Sequence, residues 1–542
     1  MSTSPEQPDR DFEKGQVTNH ETIQYASEKN GPTFASEENL AESEVLEFGE
    51  TKHLRHIQMI ALAGTIGTGL FLGSGKHSPE GGPWEHCVVL SIAELSALFP
   101  LSGAVIRHAE YFVDPALSFA QGWNAIYSYM VSLPAEIVAE AVIVELWTMK
   151  INAAVWITIF GFLLTVSNIL FVRVYGELEL TFASLKIMLI IGLNIMALVI
   201  TCGGGPDGHT YGFEYWRNPG PFVDYLGYTG ALGQFLGFYT TFFIAVYTYA
   251  RIENISLAAA ETQNPRRNIP IAAKRIFWRV TIFYMLSIFM VGLIVPSNDP
   301  DLLRSTGTAA QSPFVIAATR AGVKVVPSII NFVVLTSAWS SGKSGLLGAS
   351  RVLYGMAREG HAPKIFLRVS RMGIPYVAVL FMSLFICLGF MTISDSAATV
   401  FGWSQDLVSV ASLVNWIIIC TVYLRFYYAM KKQGLDRNDL PWKAPFQPYA
   451  AWTSVISFSI LLLTGGYVTF IHGQWNTETF VSSYINIPII LTLYIVYKFV
   501  RKTKIIPLHD LPIKHFMDVA AANPEPPPKP VVGWRRLNIL WS

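Results

Sequence analysis

Apolar runs of roughly twenty residues recur along nearly the whole chain, and each is long enough to cross a hydrocarbon core of about 30 Å. About twelve can be placed: 57–75 (span 1), 86–103 (span 2), 119–147 (span 3), 153–172 (span 4), 180–201 (span 5), 228–250 continuing past a break to 260 (span 6), 278–296 (span 7), 326–347 (span 8), 375–393 (span 9), 400–424 (span 10), 450–471 (span 11) and 482–500 (span 12). Only helices and closed barrels satisfy the backbone in lipid, and runs of this length specify helices. Charged residues make up 14 % of the chain, against about 25 % in soluble proteins. The bilayer is therefore the solvent for most of this protein, and the fold class is an all-α membrane protein.

The basic residues are sorted by position. Lys52 and Arg55 precede span 1, Arg107 and Arg173 follow spans 2 and 4, and Arg266, Arg267, Lys274 and Arg275 follow span 6. Further clusters follow spans 8, 10 and 12, among them Arg351, Arg358, Lys431, Lys432, Arg437, Lys498 and Arg501. The intervening loops hold few, among them Lys76, Lys150, Arg217 and Arg304. Under the positive-inside rule both termini are then cytoplasmic. Residues 1–50 read as a disordered, polar tail, 51–504 as the transmembrane domain, and 505–542 as a second cytoplasmic tail. The proline-rich stretch Pro524 to Pro530 is expected to stay extended in solvent.

Enzymatic motifs are missing. The sequence holds no phosphate loop, HExxH, nucleophile elbow or paired Cys/His spacing, so no catalytic residue, metal site, cofactor or nucleic-acid partner is expected. The four cysteines sit in or beside apolar segments and read as small hydrophobes. Oligomeric state is not legible.

Two spans are interrupted. Span 1 carries Gly64, Gly67 and Gly69, each weakening a helix by about 1 kcal/mol relative to alanine. Unwound backbone at membrane depth is tolerated where it lines a cavity, and freed N–H groups there suit a carboxylate. Tight helix packing through small residues is the alternative. Span 6 carries Arg251 and Glu253 in its middle, where an ionisable residue points to function. Alternatively, the apolar segment ends at Ala250 and the charges lie at the interface. Glu94, Glu136, Glu140, Glu145, Lys186 and Lys343 add further charge inside apolar spans, and together they outline a polar pathway. Lys186 either snorkels to an interface or is buried, and a buried lysine that can release its proton is a candidate proton carrier.

These residues sit in a sequence that resembles the fungal amino-acid permeases (the yeast amino acid transporter family) of the amino acid–polyamine–organocation superfamily. The likeness covers about 50–505 and includes RHIQMIALAGTIGTGLFLGSGK from Arg55, LPAEI from Leu133, FASLK from Phe182, ASRVLYGMAREGHAPK from Ala349 and LPWKAPFQPY from Leu440. The resemblance implies a LeuT-like, five-plus-five inverted repeat with spans 1 and 6 broken, and proton-coupled uptake of amino acids at the plasma membrane. It implies that Thr65, Gly67, Thr68 and Gly69 receive the substrate carboxylate. Tyr247 takes the place of an aromatic lid, and Ala250 faces the α-amino group, next to Arg251. Glu253 and Lys186 are the implied proton-coupling or gating groups; Glu136 joins them as a candidate through its charge inside span 3, and Ser340 and Lys343, where lysine replaces the family's asparagine, are candidate specificity positions.

The chain also departs from that pattern. Arg251 stands where the family usually has glycine, Lys343 where it has asparagine, and about twenty residues are lacking between Lys76 and Val88, which shortens span 2. Two rivals to transport stay open on these departures: a receptor that binds an amino acid without moving it, and an inactive permease.

Overall fold

The computed structural model describes residues 82–100, 104–145, 147–148, 151–170, 175–205, 208–220, 224–257, 264–299, 313–320, 322, 326–370, 373–393 and 397–525. Span 1, with Thr65, Gly67, Thr68 and Gly69, lies outside them. The other eleven spans all fall on helices, and no strand is present among the described residues. Seven helical stretches are apolar and long enough to cross a membrane by themselves, and two shorter apolar helices, Thr281–Ile294 and Tyr449–Thr464, lie in spans 7 and 11.

Length and burial separate interior helices from peripheral ones. Spans 3 (Pro115–Glu145), 8 (Val326–Arg358) and 10 (Ala397–Gln433) are the longest. The apolar windows of spans 3 and 10 are 83 % and 78 % buried, against 22 % in spans 4 and 12. Those outer helices carry exposed Phe162, Leu163, Val496 and Phe499. In water such a surface would be an aggregation liability; against lipid tails it costs nothing.

Two apolar clusters divide the interior. One joins Ile137 of span 3, Leu164 of span 4 (Ala153–Leu170), Leu353 of span 8 and Met382 of span 9 (Tyr376–Ile393). The other joins Val89 of span 2 (Gly82–Leu98), Ile187 of span 5 (Tyr175–Thr201), Val246 of span 6 and Tyr284 of span 7 (Pro265–Ile294) to spans 10 and 11. Spans 3 and 4 thus pack with 8 and 9, and span 2 with 7, so equivalent helices of the two halves of a five-plus-five repeat meet in the interior. Glycines set the closest approach within the first cluster. A Cβ on Gly348 would come within 2.9 Å of the Tyr129 hydroxyl, and one on Gly122 within 2.9 Å of Met356. Small residues are the usual means of helix contact where lipid supplies no hydrophobic drive.

Span 2 is described as the helix Gly82–Leu98. Its 17 residues reach about 26 Å at 1.5 Å per residue. Its buried Glu94 is fully engaged: Arg437 donates to both carboxylate oxygens (2.8 and 2.9 Å), and Tyr423 Oη (2.9 Å) and the Ala444 N–H (2.7 Å) add to them. These contacts tie span 2 to the connection between spans 10 and 11.

Residues 505–525 fold back and carry the helix Ile513–Ala522; the proline-rich stretch beyond Glu525 lies outside the described residues. Ile513 is buried, Phe516 packs edge-on against Phe99 (4.4 Å between centroids), and the Ile506 N–H donates to Val113 O (2.9 Å). Gln433 of span 10 donates to the carbonyls of Leu508 and Leu511, and Arg425 donates to that of Ile506.

Candidate functional site

Span 6 breaks where its charges predict. Its first half, Ala231–Tyr249, ends at Ala250, whose φ of −52° and ψ of 143° leave the helical region. Arg251 follows in the left-handed conformation at φ 71°, and the chain re-forms a single turn at Asn254–Leu257. The N–H that would bond Ala250 O in a continuous helix, that of Asn254, donates instead to Arg251 O (2.9 Å). The Ala250 carbonyl is thereby released from the helical ladder. Unwound carbonyls of this kind are what broken transporter helices present to cations and amines. Left-handed backbone costs a non-glycine residue roughly 1–2 kcal/mol, so Arg251 is held at a position that suits the expected glycine better.

The two charges at the break do not pair. Asn415 Nδ2 donates to Glu253 Oε1 (2.8 Å) and Trp416 Nε1 to Oε2 (3.1 Å). Gln121 of span 3 in turn donates to Asn415 Oδ1 (2.8 Å), so one polar chain links spans 3, 10 and 6. Asn415 lies midway along span 10, which places Glu253 inside the bundle and not at an interface. Arg251 turns the other way. Its guanidinium stands 5.6 Å from the Tyr129 ring centroid and 3.2 Å from where a Cβ on Gly345 would be. No carboxylate lies within 4.0 Å of it among the described residues. Tyr129 Oη donates to Asn254 Oδ1 (3.0 Å), closing the turn from the other side.

A second constellation joins spans 3, 5 and 8. Ser341 Oγ donates to Glu136 Oε1 (2.8 Å), and Lys186 Nζ donates to Ser340 Oγ (3.3 Å). Lys186 is 1 % exposed, which excludes snorkelling. Lys343 is buried on the same stretch of span 8. Glu140, one turn from Glu136 on the same face, is wholly buried, and neither of its oxygens has a hydrogen-bond partner among the described residues. Span 8 borders both groups: a Cβ on Gly345 would come within 3.2 Å of the Arg251 guanidinium, and one on Gly342, a turn away, within 3.8 Å of Glu136 Cβ. Tyr247 and Ala250 pack with Val131 and Val408, and the Tyr247 ring meets Phe401 edge-on at 6.1 Å.

The structure thus gathers Glu136, Lys186, Ser340 and Lys343 into one polar group, with Tyr247, Ala250, Arg251 and Glu253 at the adjacent break. Gln121, Tyr129, Asn415 and Trp416 were not anticipated. A lone amide in an apolar run was the available signal for Asn415, and it has little contrast against helix packing.

Known proteins fit this arrangement. The amino acid permease family model matches residues 56–509. The chain belongs to the amino acid permease family. The dicarboxylic amino acid permease of Saccharomyces cerevisiae is 34 % identical over 86 % of this chain and 79 % of that protein. The proline-specific permeases of the same yeast and of Emericella nidulans are each 38 % identical, over 83 % and 85 % of this chain and 75 % and 88 % of their own lengths. Among solved structures, a manganese transporter of Eremococcus coleocola superposes with a TM-score of 0.55 at 14 % identity, covering 85 % of this chain and 95 % of that one, a likeness of fold alone. This permease is an integral membrane protein that carries amino acids across the bilayer.

Proposed function

We propose that this permease is a proton-coupled importer of amino acids at the plasma membrane, with both termini cytoplasmic. The observation that carries the reading is the released Ala250 carbonyl in a bundle that also buries Glu136, Glu140, Lys186 and Lys343. In this reading the backbone of Thr65, Gly67, Thr68 and Gly69 receives the substrate carboxylate, the Ala250 carbonyl receives its ammonium group, and Tyr247 covers it. Glu253, Lys186 and Glu136 are the proton-coupling or gating groups. Protonating one of two neighbouring acids changes the electrostatic balance of the cluster, and in low dielectric that change is large enough to bias one helix arrangement over another.

A narrower substrate class is favoured by Arg251 and Lys343. Both add positive charge where the family usually has glycine and asparagine, and Arg251 meets no carboxylate of the described chain. A buried or half-buried cation attracts an anionic side chain and repels an ammonium one, so the preferred substrates are acidic amino acids. Ser340 and Lys343 tune that preference from span 8.

Radiolabelled uptake in cells lacking endogenous permeases, across external pH, tests both levels. Saturable aspartate or glutamate uptake that rises as external pH falls is the expected result. Uptake absent for every amino acid despite surface expression and retained ligand binding sinks transport and leaves the receptor reading. Equal uptake of lysine and aspartate sinks only the acidic preference.

A further inference from the structure

Away from the transport site, a cavity of about 540 Å³ lies between the start of span 7, the connection between spans 10 and 11, and the C-terminal helix. Span 7 contributes Arg266, Arg267 and Lys274, the connection contributes Trp442, and the C-terminal segment contributes Met517 and Glu525. Three cations thus face two carboxylates, Glu525 and Asp439. Neither the Arg267 guanidinium nor the Lys274 ammonium is in a salt bridge among the described residues; Lys274 rests 5.0 Å from the Trp442 ring centroid. The Nε of Arg266 is buried without a hydrogen-bond partner.

Glu525 shows what this place holds. Its two carboxylate oxygens accept the N–H groups of Arg266 (2.8 Å) and Arg267 (3.1 Å), and Arg266 Nη1 donates to Asn523 O (2.8 Å). The preceding Asn264 makes no side-chain cap, so an anion from the far end of the chain supplies the cap of span 7. The remaining walls, including Met517 and Trp442, are apolar, so the cavity suits an anion that carries hydrocarbon. Its depth is marked by Trp278, one turn beyond Lys274 on the same face and 57 % exposed, where an outward tryptophan anchors a helix at the headgroup level.

We propose that this cavity binds a phosphorylated lipid headgroup of the adjoining leaflet, and that Glu525 is its intramolecular competitor. Lys274 and Arg267 meet the phosphate, Trp442 and Met517 cover the glycerol and first methylenes, and the C-terminal segment is displaced as the lipid enters. Basic pockets between helices at a membrane face recognise anionic headgroups in this way. The tail is then a lipid-sensitive strap, because displacing Glu525 also removes the cap of span 7.

The test uses the full-length protein in detergent, with native mass spectrometry counting bound dioctanoyl phosphatidylinositol 4-phosphate, dioctanoyl phosphatidylcholine and free inositol phosphate. The phosphoinositide is expected to bind at least tenfold more tightly than either of the others. Glu525→Gln should tighten it about fivefold, and Lys274→Ala combined with Arg267→Ala should weaken it about tenfold. Lys274→Arg, which keeps the charge, serves as the folding control and should bind within twofold of the unaltered protein. Equal binding of phosphatidylcholine, equal binding of free inositol phosphate, or indifference to both Glu525→Gln and the double alanine variant each overturns the proposal. None of these readouts depends on transport, so a failure here is distinct from a failure of the importer reading.

Discussion

Glu94 in span 2 and Glu140 in span 3 are hidden to the same degree, at 1 % and 0 % exposure, yet their surroundings are opposite. Glu94 accepts from Arg437, Tyr423 and the Ala444 N–H, so its charge is neutralised and its lone pairs are occupied. Glu140 accepts no hydrogen bond among the described residues, and the like-signed Glu136 lies one turn away on the same face. A carboxylate that is fully coordinated holds helices together. One left bare inside a bundle adds nothing to the fold, and its presence there calls for a functional reason. The difference separates the structural end of the molecule, where span 2 meets the connection after span 10, from the working end at spans 3, 5, 6 and 8.

The largest expected effect breaks the structural side. Glu94→Ala leaves the Arg437 guanidinium, the Tyr423 hydroxyl and the Ala444 N–H without their acceptor. Removing one member of a buried pair costs about 3–5 kcal/mol, and Arg437 keeps 23 % side-chain exposure, so about 3 kcal/mol is expected. Thermal unfolding of the purified protein should show it as a marked drop in midpoint. A midpoint that does not move would mean that Glu94 is not the tie between span 2 and the rest.

His108 extends the structural side to a neutral group. It lies in the short helix Ala104–Phe112, outside the spans, and its Nε2–H donates to Phe99 O (3.2 Å). Burial, reinforced by Arg107, pushes its pKa down to about 4, from 6.5 when unfolded. The unfolded chain therefore binds more protons between those values, so stability is complete above the unfolded pKa and is lost as pH falls towards 4. Acidification from pH 7 to pH 5 should cost about 2 kcal/mol through this residue. His108→Asn should remove that part of the pH dependence of unfolding; an unchanged slope would reject the assignment.

Glu140→Gln tests the working side and has a small expected effect on stability. No hydrogen bond is lost, so the change should stay within about 1 kcal/mol. The external-pH profile of uptake should nonetheless flatten or move, because one of the two neighbouring acids is gone. Lost stability with an unaltered profile would place Glu140 with Glu94 and collapse the distinction.

The distinction was not legible in the sequence, for a definite reason. Glu94 and Arg437 are 343 positions apart, and nothing in either segment announces the other. Glu94, Glu136 and Glu140 therefore look alike in the chain: acids in apolar runs. The break in span 6 was legible, because Arg251 and Glu253 violate the local hydropathy. Ile513, Phe516, Met517 and Ala520 repeat at helical spacing and carry the signal for the docked C-terminal helix. Asn415 and Gln121 could be placed against Glu253 only once three helices had been brought together.

Arg251→Gly carries the smallest expected change in stability and the sharpest functional one. Glycine relieves left-handed strain of roughly 1–2 kcal/mol at φ 71°. It also removes the stack on Tyr129, worth about 1 kcal/mol, so the two nearly cancel. Transport should not show the same balance. If the guanidinium attracts an acidic side chain, aspartate uptake should fall about tenfold while uptake of a neutral amino acid holds or rises. Arg251→Lys should keep most of the aspartate uptake, since the charge survives and only the planar stack is lost. Should aspartate uptake survive the glycine variant intact, Arg251 belongs with Glu94 as a packing element between spans 3, 6 and 8, and the substrate preference must come from Lys343 alone.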